Sequence, residues 1–217
     1  MERTITALEI QKNNQERVSV YLDGEFALGL PILEAAKLRK GQSLSDEEIN
    51  ALREIDAVTQ AVERALRLLA RRPYSAAEIR RNLDSHEVAP PVIDSALDRL
   101  AQLGYVDDQA FAQYWIENRE RFKPRGPRAL RYELRQKGLA DSIIDAALGE
   151  VNGVESARRA AQERARRLTG LTPQEFRSRL GAFLVRRGFD YDTVREVIDQ
   201  LTNEIKEEHP DTFANEE

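Results

Sequence analysis

The amino-acid sequence predicts a mainly α-helical protein: three tandem three-helix repeats in a curved array, preceded by a small N-terminal three-stranded β meander with a helix. Three observations predict it. An apolar spacing recurs three times along the chain. Strand-like alternation with an Asp-Gly turn fills the N-terminus. Helix-start signals then follow one another at intervals. The spacing is anchored on Val88, Leu139 and Phe189, which stand 51 and 50 residues apart. Nine residues before the anchors lie Ile79, Leu130 and Leu180, and five before them Leu83, Leu134 and Leu184. Val92, Ile143 and Thr193 follow at four, Ile93, Ile144 and Val194 at five, and Leu97, Leu148 and Ile198 at nine. Such offsets suit two helices joined by a short turn. A repeat of this length marks small helical units that bury their apolar faces only by stacking.

The elements follow in order. Thr4 to Ile10 alternates, with Ile5 and Ala7 opposite Thr6, Leu8 and Ile10, and Asn13-Asn14 signals a turn. Arg17 to Leu22 places Val18, Val20 and Leu22 on one face. Asp23-Gly24 is a two-residue hairpin turn, since both positions tolerate positive φ. Glu25 to Leu30 returns with Phe26, Leu28 and Leu30. Pro31 starts a short helix to about Leu38. Ser45-Asp46-Glu47-Glu48 is a capping box, opening either one helix to Ala70 or two helices broken near Ile55 to Thr59. Capping boxes recur at Ser75 to Glu78 and at Thr172 to Glu175, and Pro90-Pro91 and Gly126-Pro127 open further helices. Gly138 and Gly188 end two of them. The predicted divisions are 1–58 for the β unit and its helix, 59–107, 108–152 and 153–202 for the repeats, and 203–217 for an acidic, disordered tail.

Composition narrows the function. The chain has 217 residues, 41% hydrophobic and 33% charged, so it can build cores under a heavily solvated helix surface. It has no cysteine, which excludes disulfides, thiolate metal sites and a cysteine nucleophile. No apolar run approaches a membrane span and no signal-peptide pattern appears, so a soluble cytoplasmic protein is expected. The net charge of −5 hides an asymmetry. Residues 1–58 carry −4, 59–107 carry zero, 108–152 carry +1, 153–202 carry +3 and 203–217 carry −5. Positive charge therefore collects in the later repeats.

Leu103-Gly104-Tyr105-Val106-Asp107-Asp108, with Phe111-Ala112, Trp115 and Arg119 downstream, is distinctive. So are Arg125-Gly126-Pro127, Leu130, Leu134 and Lys137-Gly138-Leu139, and, earlier, Arg72-Pro73-Tyr74-Ser75, Glu78, Ile79 and Leu83. In this order, over residues 59–202, the motifs resemble the RecX family of bacterial recombination regulators. The N-terminal β unit resembles an extension found in part of that family. The resemblance implies three tandem three-helix repeats, binding to the RecA filament on single-stranded DNA, and modulation, most simply inhibition, of its recombinase, ATPase and co-protease activities.

Catalytic chemistry finds little support. Of the two histidines, His86 falls in a turn and His209 in the acidic tail, and neither has a partner at metal-ligand or triad spacing. Gly24 and Gly29 lack the strand–loop–helix context and the lysine of a phosphate loop. Asp107-Asp108 reads as a helix cap. No catalytic residue, metal or cofactor is expected.

The basic clusters are the candidate partner or nucleic-acid contacts. Arg119, Arg121, Lys123, Arg125, Arg128, Arg131, Arg135 and Lys137 face only Glu117, Glu120 and Glu133 within their stretch. Arg128, Arg131 and Arg135 share a helix face, and Lys123 to Pro127 presents charge beside a helix N-terminus. The second cluster comprises Arg158, Arg159, Arg166, Arg167, Arg186 and Arg187, with Arg164, Arg177 and Arg179 interspersed. The plainer alternative is a solvated surface laced with weak ion pairs. Trp115 reads as core packing rather than a base-stacking platform, and Leu103 and Tyr105 as packing at a repeat boundary.

The expected protein is thus a non-enzymatic monomer that regulates the RecA filament, with direct phosphate contacts and no membrane partner. The rival is a helix-turn-helix-like, sequence-specific duplex DNA-binding protein. Against it, residues 91–100 and 141–148 are acidic and poor in side chains that read base edges. A scaffold without nucleic-acid contact is a third reading.

Overall fold

The computed structural model describes residues 2–208 and Phe213. The chain forms two compact units, residues 1–106 and 107–217.

The first unit begins with strands β1 (Glu2–Gln11), β2 (Asn14–Leu22) and β3 (Glu25–Pro31), then helix α1 (Ile32–Ala35) and strand β4 (Ser43–Ser45). The antiparallel sheet runs β3-β2-β1-β4, so a fourth strand joins the predicted meander. β4 pairs Arg3 with Leu44 and covers the start of β1. The Asp23-Gly24 turn has φ of 52° and 91°, as its sequence requires. The first turn falls on Lys12-Asn13, one residue earlier than its signal, and β2 starts at Asn14. Two bulges redirect side chains. One after Ile5 puts both Ile5 and Leu8 against the core while Ile10 stays 60% exposed. The other, opposite Val20 and Tyr21, turns Phe26 away from Leu28 and Leu30, leaving it 60% exposed. An inserted residue reverses the pleat, which strict alternation cannot anticipate.

Helix α2 (Asp46–Leu69) is continuous and starts in the Ser45–Glu48 capping box. Its first half packs Ile49 and Leu52 on the sheet. Its second half packs Ala61, Val62 and Ala65 against α3 (Ala76–Asp84) and α4 (Pro90–Gln102). The β unit and the first repeat therefore share one helix and one unit.

The second unit contains α5 (Asp108–Phe122), α6 (Pro127–Gln136) and α7 (Asp141–Gly149), then α8 (Gly153–Ala165), α9 (Pro173–Arg186) and α10 (Tyr191–Glu208). Each trio closes its own core. The repeat spacing marks these cores. Ile79, Leu83, Leu130, Leu134, Ile144, Leu180 and Leu184 are fully buried, and Ile93 and Val194 are nearly so. Capping is as read, with boxes at Ser75 and Thr172 and proline in the first turn of α4 and α6.

Two expectations are corrected here. Helix α10 runs to Glu208, so residues 203–208 are helical rather than tail. Its apolar residues Leu201 and Ile205 still face the third core and hold the last turns. His209 and the rest of the tail lie outside the described residues, except Phe213, which packs edge-on against Phe176 at 5.3 Å. Leu103 and Tyr105 are 58% and 55% exposed, because the turn after α4 passes Gly104 at φ 74° and lifts both off the core. Among the described residues no helix is long and apolar enough to cross a membrane.

Candidate nucleic-acid interface

The site is built where the second and third repeats meet, inside the second unit. Helix α5 ends at Phe122 because Pro124 follows, and α6 restarts at Gly126-Pro127. Gly126 N–H donates to Arg187 C=O at 2.9 Å. A methyl group on Gly126 would stand 2.2 Å from Gly188 O and 2.3 Å from Phe189 N. One on Gly188, whose φ is 87°, would stand 2.6 Å from Ala129 N. Only a pair of glycines permits this backbone approach. Arg187 Nη1 donates to Pro124 C=O at 3.2 Å, and its ring-facing side lies 4.9 Å from the Phe183 centroid. Burial first, and then repulsion from Arg125, lower the Arg187 pKa from the ordinary arginine value. A second tie joins the repeats: Glu120 Oε2 accepts from Ser156 Oγ at 2.7 Å and pairs with Arg159.

This junction sets α6 beside the end of α9 and opens a cleft of about 510 Å³. Arg125, Arg128, Arg131 and Arg135 line it from one side and Arg186 from the other, with Ala129, Tyr132, Val185 and Gly188 between them. None of the lining residues is acidic. Tyr132 is 66% exposed and Val185 51%, so an aromatic and an apolar surface lie among the guanidinium groups.

The arginines are not equivalent. Arg131 pairs with Asp145 and Arg135 with Asp141 at 2.7 Å. That pair raises the Arg135 pKa and lowers that of Asp141. Arg125 reaches Glu133 at 3.0 Å. Arg128 and Arg186 are exposed and, among the described residues, have no ion pair. They are the freest cations of the cleft. Glu133, whose side chain is only 14% exposed, organises one wall. Its Oε2 accepts from Trp115 Nε1 and Arg119 Nε, each at 2.7 Å. Arg119 and Lys137 each lie 4.5 Å from the Trp115 ring centroid, and that ring stacks on Phe111. Trp115 is thus a packed, cation-covered residue, as its surroundings in the sequence imply.

The other predicted site residues go elsewhere. Arg121 and Lys123 are exposed at the end of α5, Arg121 lying 5.3 Å from the Phe122 ring centroid. Arg158 pairs with Glu204 at 2.8 Å, and Arg159 serves the Glu120 tie. Arg166 and Arg167 are exposed just beyond α8 and line no part of the cleft. Tyr132, Val185 and the organising role of Glu133 escaped the sequence reading. Tyr132 does stand four residues after Arg128, the spacing of neighbours on one helix face.

The third helices present carboxylates to their own repeats. Arg80 pairs with Asp94 at 2.6 Å and Arg131 with Asp145, at matching positions of two repeats. The third repeat has Gly181 and Arg195 there. His86 is exposed, with Nδ1 2.8 Å from Asn82 C=O. Among the described residues no cluster of metal-ligating side chains occurs.

Four family descriptions match the chain. The Regulatory protein RecX N-terminal domain matches residues 3–45, and the first, second and third three-helix domains of RecX match 61–100, 107–148 and 150–198. The Regulatory protein RecX of Bacillus subtilis (strain 168) is 32% identical over 209 residues, covering 94% of this chain and 79% of that protein. That of Chlorobium phaeobacteroides (strain BS1) is 39% identical over 142 residues, covering 65% and 93%. A crystal structure of regulatory protein RecX superposes with a TM-score of 0.73 at 25% identity, covering 91% of this chain and 99% of that one.

Proposed function

Because the chain belongs to the RecX family, we propose that it regulates the RecA recombinase in the cytoplasm by binding its filament on single-stranded DNA, without chemistry of its own. The observation that carries this reading is the arginine cleft between α6 and α9, which gathers five guanidinium groups and no carboxylate on its lining. Guanidinium pairs bidentately with phosphate or carboxylate, so the cleft suits a polyanionic partner. Occupying the filament would obstruct duplex entry and slow nucleotide turnover. The duplex-reading alternative is weakened because Asp94 and Asp145 occupy the helices that would enter a major groove.

The test is binding of the protein to RecA filaments on single-stranded DNA at several salt concentrations, with Arg128→Glu/Arg186→Glu beside the wild type. The variant should bind at least tenfold more weakly with a shallower salt dependence. Unchanged affinity and slope would remove the cleft from the interface.

A further inference from the structure

The first unit holds a second cleft, larger than the one above, at about 840 Å³. The edge strand β3 and the end of β1 form one wall. Helix α2 and the turn before α4 form the other. Helix α2 presents Arg53, Arg64 and Arg67 to it. Positions 53, 64 and 67 fall within about 60° of one another around a helix and span about 21 Å along its axis. Among the described residues none of the three has an ion pair. The carboxylates of the lining do not cancel them. Both oxygens of Asp56 are engaged, by Arg17 at 2.6 Å and by Gln60 at 2.6 Å, which leaves Glu63 and Glu87.

Arg17 also lines the cleft, but it is held by Asp56 and its Nη1 is enclosed, so it adds no reachable donor to the arginine row. A further feature points to a ligand. Phe26, turned outward by the β3 bulge, is 60% exposed on the same lining, steadied edge-on by Tyr21 at 6.0 Å. A row of cations about 21 Å long suits a linear polyanion rather than one phosphate. An exposed aromatic face among cations suits a chain that carries bases rather than an acidic peptide.

We propose that this cleft, in the β unit and first repeat, is a second binding site for single-stranded nucleic acid, with the backbone phosphates along Arg53, Arg64 and Arg67 and a base stacked on Phe26. It is made of residues wholly outside the arginine cleft of the second unit and stands or falls separately from it.

The experiment is fluorescence anisotropy of a labelled oligothymidylate strand with the full-length protein, without recombinase, over a range of salt. The variants are Arg53→Ala/Arg67→Ala and Phe26→Ala, each in the wild type and in the Arg128→Glu/Arg186→Glu background. All five positions are exposed, so the fold is retained. In the background variant, strand binding should persist. Arg53→Ala/Arg67→Ala should then weaken it at least tenfold and flatten the log–log salt slope by about 1.4, since each phosphate contact on a single strand contributes about 0.7. Phe26→Ala should weaken it about tenfold. The proposal is overturned if the background variant binds no strand, or if neither the arginine nor the phenylalanine change alters affinity there. It is also overturned if adenosine monophosphate displaces the strand at equal nucleotide concentration, which would make the cleft a mononucleotide pocket. Full binding by Arg128→Glu/Arg186→Glu together with loss in Arg53→Ala/Arg67→Ala would support this cleft while removing the other.

Discussion

Gly126→Ala tests the junction on which the arginine cleft depends. The added methyl would meet Gly188 O at 2.2 Å, Gly188 C at 2.3 Å and Phe189 N at 2.3 Å. All three are backbone atoms, so no side-chain rotation relieves the overlap. The two repeats must separate by about an ångström or more to restore van der Waals distance, which costs about 1–3 kcal/mol as overpacking. Separation also stretches the 2.9 Å hydrogen bond from Gly126 N–H to Arg187 C=O, worth about 1 kcal/mol. The expected destabilisation is about 3 kcal/mol, or a fall of about 12 °C in the midpoint for a unit of this size. Thermal unfolding followed by circular dichroism measures it. The control is Gly149→Ala. Gly149 is the last residue of α7, and nothing lies within 4 Å of where its methyl would be. That change should stabilise slightly, by about 0.5 kcal/mol. Equal midpoints for Gly126→Ala and wild type, or a larger loss in Gly149→Ala, would refute the close-contact reasoning.

Three further outcomes are expected. Glu87 has φ 59° at the position where the other repeats carry Gly138 and Gly188, so Glu87→Gly should stabilise the first unit by about 0.5–1 kcal/mol in urea unfolding. Loss of stability would show that its side chain has a role the backbone does not reveal. Glu133→Gln removes the charge facing Arg119 and Arg125 and should cost about 2 kcal/mol. It should also shift the emission of Trp115, the single tryptophan, whose Nε1 donates to that carboxylate. Unaltered emission and stability would contradict the organising role of Glu133. Asp190 accepts from Thr193 N–H and Oγ1, each at 2.8 Å, and these bonds, the backbone one first, lower its pKa. A carboxylate lowered on folding stabilises above its unfolded pKa and loses that contribution as pH falls through the folded value. Stability should therefore decline below about pH 4, and Asp190→Asn, which keeps a capping oxygen, should decline less steeply there. Identical acid limbs would sink this assignment.

Much of the helical architecture was legible because burial imposes a period. The residues nine and five before each anchor are all fully buried, in all three repeats. Less was legible where a feature depends on pairing at a distance. Ser43 to Ser45 is too short to show alternation, and β4 exists only because β1 offers it an edge. The bulge that turns Phe26 out leaves no mark in hydrophobicity. Within the candidate site, the shared face of Arg128, Arg131 and Arg135 followed from helical spacing. Counting charge along the chain could not show that Asp141 and Asp145, on the next helix, pair with Arg135 and Arg131. Nor could it place Arg186 opposite Arg128, since that depends on Gly126 meeting Gly188 across two repeats.

The proposed restraint of the RecA filament acts through the α6–α9 cleft. The most direct measurement is the steady-state rate of ATP hydrolysis by a cognate RecA on single-stranded DNA during titration with this protein. Inhibition at substoichiometric ratios, much reduced by Arg128→Glu/Arg186→Glu, is the predicted result. An unaltered rate at several-fold excess of folded wild-type protein would rule that restraint out.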